Sequence, residues 1–162
     1  MIYTRWLSGH DDLAEPLRIR RTVFIDEQGF APETEPDAHD TQAIHLLVGE
    51  GEGFVGTARL FQYDGGTFKI GRIAVLKPMR GRGLGDLMMR MLIQKALDLG
   101  AQKIALGSQL PVVPFYKKYG FQEAGDTYSE DGVLHQGMEL LAENARLPHA
   151  CTQCGQCGKP AT

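Results

Sequence analysis

The chain has 162 residues and a mass of 17.8 kDa, the size of one ordinary domain that can bury a core without staples. Its formal net charge is -3, with 23% charged and 43% hydrophobic residues, which excludes a basic nucleic-acid coat and an acidic disordered tail, so any anion binding must be local. The segment "MIYTRWLSGHDDLAEP" lacks a basic stretch followed by an apolar core, no window approaches ~20 apolar residues, and all three cysteines lie at or beyond Cys151; the expectation is a cytoplasmic protein with no membrane segment and no disulfide framework.

Residues 2–7 read as a short strand, followed by a helix capped by Asp11 or Asp12 with Pro16 in its first turn and a buried stripe of Leu13, Leu17, Val23 and Phe24. Residues 29–40, "GFAPETEPDAHD", carry prolines and carboxylates without apolar periodicity and predict an exposed, partly ordered loop. Ile44–Val48, Phe54–Tyr63 and Thr67–Val75 then form an antiparallel meander, the second turn of which, "YDGGT", suits positive φ. Leu84, Leu87, Met88, Met91, Leu92, Ala96 and Leu99 have the spacing of a wide apolar helix face that stops at Gly100. Lys103–Leu106 predicts a buried strand and Val112–Lys118 a short helix ended by Gly120. Phe121–Ala124 and Val133–Leu141 predict two closing strands around "SEDG".

Between the third meander strand and the long helix stands "MRGRGLGD", Met79 to Asp86. A helix amino terminus offers unpaired N–H groups and a positive dipole end, and glycines before it allow close approach of a phosphate. A Walker loop would need Gly-Lys-Ser/Thr where Gly85-Asp86-Leu87 stands, and the dinucleotide fingerprint fails because its third glycine position falls on Asp86 or Met88. What remains is Arg80-x-x-Gly83-x-Gly85, which in this strand-loop-helix setting resembles the acetyl-CoA pyrophosphate loop of the GNAT family of N-acetyltransferases. A second stretch, "PVVPFYKKYGF" (Pro111 to Phe121), is similar to the family's Tyr-x-x-x-Gly-Phe segment, and "VFIDEQGFAPETEPDAHD" with "EDGVLHQGM" resembles the ElaA-like branch.

The resemblance spans residues 1–142 and implies the GNAT fold: an α/β domain on a mixed, mostly antiparallel central sheet flanked by helices and splayed at its centre to admit acetyl-CoA. It implies acetyl transfer to a primary amine of a small molecule or peptide, with Ile73, Ala74 and Val75 along the pantetheine arm. Arg80, Gly81, Arg82, Gly83, Leu84, Gly85 and Asp86 would hold the pyrophosphate, chiefly through backbone amides. Tyr116 takes the general-acid position at the departing thiolate, although its ring could equally pack the short helix on the sheet. Gln109 stands where many relatives place a cofactor-contacting Asn. Some relatives carry a Glu on the strand here written "KIALGS", which has no carboxylate, so the base must lie elsewhere or be water. Candidates facing the acceptor are Glu27, His39, Asp40, His45 and His135, with Arg72 as a further acceptor-site residue and Glu27 as its partner.

Residues 143–162 read as a flexible extension in which His149, Cys151, Cys154 and Cys157 have spacing enough for one zinc. The rival readings are a non-catalytic acyl-CoA sensor and a scaffold with a metal-binding cysteine tail. No motif marks the acceptor's identity or the oligomeric state.

Overall fold

Leu46 and Leu47 are neighbours in the chain and both are buried, one on each face of a sheet, and this alternation sets the layers. Leu46 joins the larger core beneath a long helix, whereas Leu47 joins Leu7, Ile19, Val23 and Ala74 in a smaller core on the opposite face. The computed structural model describes residues 1–147. Its strands are β1 (Ile2–Ser8), β2 (Ile44–Glu50), β3 (Gly53–Gln62), β4 (Thr67–Val75), β5 (Lys103–Gln109), β6 (Gln122–Glu123), β7 (Tyr128–Glu130) and β8 (Val133–Leu141). They form one sheet in the order β1-β2-β3-β4-β5-β8-β6, with β7 also paired to β8. Among the described residues β4 and β5 are parallel neighbours and the other pairings are antiparallel. The expected mixed sheet and the three-strand meander are therefore present, and among the described residues no helix is long and apolar enough to cross a membrane.

Helix α1 (Ala14–Arg20) runs directly into a π-helical segment, Arg21–Glu27. The Asp12 carboxylate accepts the Ala14 N–H at 2.9 Å, so the helix begins just beyond the expected cap. Val23 of the expected stripe is fully buried and Leu13 and Phe24 pack beside it, but the deepest positions are Ile19 and Arg20. Helix α2 (Leu84–Asp98) buries Leu84, Met88, Met89, Leu92, Ile93 and Ala96. Its buried stripe is thus rotated from the expected one: Met89 and Ile93 enter the core while Leu99 is exposed. Each fully buried aliphatic side chain of this kind contributes about 1.5–3 kcal/mol. Helix α3 (Val113–Lys117) follows β5, and Gly120 ends its turn at φ 103.

Two departures from regular pairing shape the site. β4 pairs with β5 only from Thr67↔Lys103 to Lys69↔Ala105. Beyond Lys69 the two strands part. On its other edge β4 passes Arg72 and Ile73 where β3 passes Ala58 alone, between the pairs Thr57↔Ala74 and Arg59↔Gly71. This is a β-bulge with Arg72 at φ 51, and a bulge re-aims the side chains that follow it. The closing hairpin differs from expectation by the extra strand β7, which folds back on β8 through Asp131 and Gly132, both at positive φ.

Candidate active site

The parted strands open a cleft of ≈ 1370 Å³, larger than the ~300–1,000 Å³ of a typical small-molecule pocket and roomy enough for a cofactor arm and a second substrate. Its walls are β4, β5, the loop before α2, the start of α3 and the β7–β8 hairpin, with Arg59 and Phe61 of β3 and parts of the stretch between residues 24 and 39.

Gly81 and Gly83 sit at φ 77 and φ 79, where an L-residue is strained, and together they turn the chain into α2. No side chain caps that helix start, which leaves its first N–H groups without a side-chain partner, and Gly83 to Asp86 line the cleft. Arg80 donates from Nε to the Val75 carbonyl at 2.9 Å and forks onto Glu27 at 2.5 and 2.8 Å. The Arg80 bond holds the Glu27 carboxyl below its usual range. Arg82 forks onto Glu50 at 2.6 and 2.7 Å and lies outside the cleft lining. With both guanidiniums matched by carboxylates, the attraction of this loop for an anion comes from its backbone amides and the helix dipole. Asp86 contributes its position in the helix turn, because its carboxylate is taken by Tyr119 at 2.5 Å, Arg90 at 3.1 Å and Lys118 at 3.3 Å.

Ile73 and Val75 line the cleft, but Ala74 turns its side chain into the smaller core. Tyr116 lines it from α3 as a buried ring packed on Phe115 and Phe121, and burial pushes its hydroxyl up to about 12. Packing ring and cleft-lining group are therefore the same residue. Gln109 lines the cleft at the end of β5 and donates across it to Gln28 at 3.1 Å.

The acceptor-side residues divide differently from expectation. Glu27 pairs with Arg80 at the phosphate loop and not with Arg72. His45 is 1% exposed, with Nε2 on the Asp40 carbonyl at 2.9 Å, and burial lowers its pKa; it lies behind the cleft. Asp40 is buried as well, while His39 lines the cleft stacked on Phe61 at 4.5 Å. Arg72 does line the cleft, and its partners are Glu35 at 2.7 Å and Asp37 at 2.9 Å. His135 lines the wall formed by β8.

Residues 29–40 are not an exposed loop throughout, because Glu35 and Asp40 are almost fully buried. Arg20 pairs with Glu35 and Asp40, Arg59 with Asp37 and Asp40, and Arg72 with Glu35 and Asp37. Burial alone would raise the Asp40 carboxyl, but the bonds from Arg20, the Asp37 amide and Arg59 outweigh it and hold the group below its usual range. These acids are neutralised within the protein and are not free to receive a cationic substrate. A further unforeseen element is the glycine pair Gly107↔Gly137 across β5 and β8. A Cβ at Gly107 would stand 2.2 Å from the Tyr128 hydroxyl, so the missing side chain is what lets Tyr128 lie across the sheet. His149, Cys151, Cys154 and Cys157 lie outside the described residues.

Residues 23–142 match the GNAT acetyltransferase domain. The chain is 35% identical over 129 residues to the uncharacterized N-acetyltransferase YjcF of Bacillus subtilis, covering 79% of this chain and 91% of that one. It is 30% identical over 127 residues to Protein ElaA of Escherichia coli, covering 75% of this chain and 82% of that one. The crystal structure of Escherichia coli ElaA superposes with a TM-score of 0.78 over 86% of this chain and 99% of its own, at 28% identity. A GNAT family acetyltransferase from Elizabethkingia anophelis with acetyl-CoA bound shares the fold at a TM-score of 0.67 and 18% identity, covering 86% and 97% of the two chains. The chain belongs to the GNAT acetyltransferase family, on its ElaA-like branch, and is an acyl-CoA-dependent acyltransferase.

Proposed function

We propose that the chain transfers the acetyl group of acetyl-CoA directly to a primary amine of a small molecule or peptide. The observation that carries this reading is the parting of β4 from β5 beside an uncapped helix start: an extended thioester arm fits the gap, and a pyrophosphate fits the amides from Gly81 to Asp86. Ile73 and Val75 offer backbone along the arm, and Gln109 closes its far end. On this reading Tyr116 faces the thioester sulfur. A phenol pushed up to about 12 stays protonated and donates a hydrogen bond to the departing thiolate. Because the conjugate thiol titrates near ~8.5, that bond does more than outright proton transfer.

Calorimetric titration with acetyl-CoA, with ATP and NADH as controls, tests the cofactor; thiol release with a panel of primary amines tests the transfer. Selective binding followed by amine-dependent thiol release is expected, and no binding by the wild type would remove the reading. Tyr116→Phe keeps the packing and loses the donor. Its kcat should fall by roughly 10²-fold, at the lower edge of acid–base effects, with acetyl-CoA affinity unchanged. A kcat within error of wild type would make Tyr116 a packing residue alone.

A further inference from the structure

Acetylation of an ammonium requires a base, and the cleft eliminates most of its own carboxylates. Glu35 and Asp37 are paired with arginines, Glu139 with Lys103 at 3.1 Å, and Asp86 with Tyr119. Asp64 accepts the Gly66 and Thr67 amides at 3.1 and 2.9 Å. β4 itself carries no acid. Glu130 and Asp131 remain, with His39 and His135.

His135 is distinguished by how its ring is held. Nδ1 lies 2.9 Å from the Val133 carbonyl, and a carbonyl only accepts, so Nδ1 carries a proton and the neutral ring has its lone pair on Nε2. Nε2 stands 3.9 Å from the Glu130 carboxylate. The ring stacks on Tyr128 with 5.6 Å between centroids, is 8% exposed, and lies on β8 directly across from Gln109. The titratable groups facing it are thus Tyr128 and Glu130, both from β7, while the β5 residue opposite is uncharged. His39 stacks on Phe61 at the far wall, with no carboxylate paired to its ring among the described residues.

We propose that His135 is the base that receives a proton from the acceptor ammonium, with Glu130 stabilising the imidazolium so formed. The proposal rests on the amine-transfer reading above. Nε2 takes one proton from the ammonium, and the neutral nitrogen attacks the thioester carbonyl carbon to form the N–C bond. Collapse of the tetrahedral intermediate breaks the C–S bond, and the second proton lost by nitrogen balances the one taken up by the thiolate at Tyr116. His135 then returns its proton to solvent.

The test uses the full chain, acetyl-CoA and three probe amines: n-propylamine, lysine amide and spermidine. Long-range proton–nitrogen correlation spectra of the wild type should show neutral His135 protonated at Nδ1. The opposite tautomer overturns the proposal even if no probe is acetylated. His135→Gln should lower kcat/KM for the amine at least ~100-fold and move the acidic limb of its pH profile upward to follow the probe amine's own ionisation, while leaving acetyl-CoA affinity within about twofold. His135→Ala should regain rate when imidazole is added. An acidic limb at the wild-type position, or no rescue, overturns the assignment. Glu130→Gln, at an exposed position, should reduce kcat/KM for the amine roughly tenfold without moving KM for acetyl-CoA; an unchanged rate removes Glu130 from the pair. Failure of the wild type to bind acetyl-CoA is read separately by calorimetry and removes the transfer reading together with its base.

Discussion

Gly83→Glu should abolish measurable acetyl-CoA binding while the protein stays folded. The residue precedes α2 at φ 79, and a Cβ built there meets no atom within 4 Å, so the added side chain enters open space at the cleft mouth. Left-handed backbone at a non-glycine residue costs about 1–2 kcal/mol, which a domain of this size tolerates. The effect on binding is larger for two reasons. The new carboxylate can accept the first helix N–H groups as an internal cap, occupying the donors that a pyrophosphate needs. It also repels the ligand: two unit charges ~4 Å apart at a surface-like dielectric interact by about 4 kcal/mol, roughly a thousandfold in affinity. Gly83→Ala separates the causes, because it carries the strain without the charge: it should lower Tm and keep most of the affinity. Calorimetry on both variants, with thermal melts as the folding control, decides the matter. Unchanged affinity in Gly83→Glu would place the phosphates away from this helix start.

The residues of that loop were legible because they are consecutive. A run of glycines between a strand and an amphipathic helix states its own geometry, and Gly81 and Gly83 adopt the left-handed backbone that their type allows. The meander was legible for a similar reason, since hairpin turns join strands that are neighbours in sequence. The acceptor wall was not. Arg20, Arg59 and Arg72 find Glu35, Asp37 and Asp40 through a loop path that no periodicity encodes, and the bulge that puts Arg72 at φ 51 breaks the alternation from which its direction would be read. Glu27 was matched to Arg72 on charge alone, whereas the end of the π-helical segment delivers it to Arg80. Strand β7 is three residues long, too short for a period of two to announce itself, yet it brings Tyr128 and Glu130 to His135. Helix α2 shows a milder form of the same limit: an apolar-rich surface left the stripe's rotation open until the sheet selected Met89 and Ile93.

Asp40→Ala should be the most destabilising single change in the acceptor wall, because it strands a buried guanidinium. Arg20 is 1% exposed and forks onto Asp40 at 2.7 and 3.0 Å. The same carboxylate accepts Arg59 Nη1 at 3.0 Å and the Asp37 amide at 2.9 Å. Truncation removes one negative charge from a cluster in which three arginines face three carboxylates, and Glu35 cannot serve Arg20 fully while it also holds Arg72. Breaking a buried pair from one side costs about 3–5 kcal/mol, which for a chain of this length lowers Tm by roughly 10 °C. Asp40→Asn keeps the shape but only one of the two accepting oxygens, and its NH2 faces N–H donors, so it should lose nearly as much. The pH dependence carries the same signature. Asp37 and Asp40 are both held below their usual range despite burial, so their stabilisation is complete above the unfolded value near ~4 and is lost as pH falls through the lower folded values. Wild-type Tm should therefore fall on acidification below about pH 4, and the Asp40→Ala curve should fall less steeply because one of the linked protons is gone. If Asp40→Ala melts with the wild type and keeps its acid limb, the network does not hold the loop.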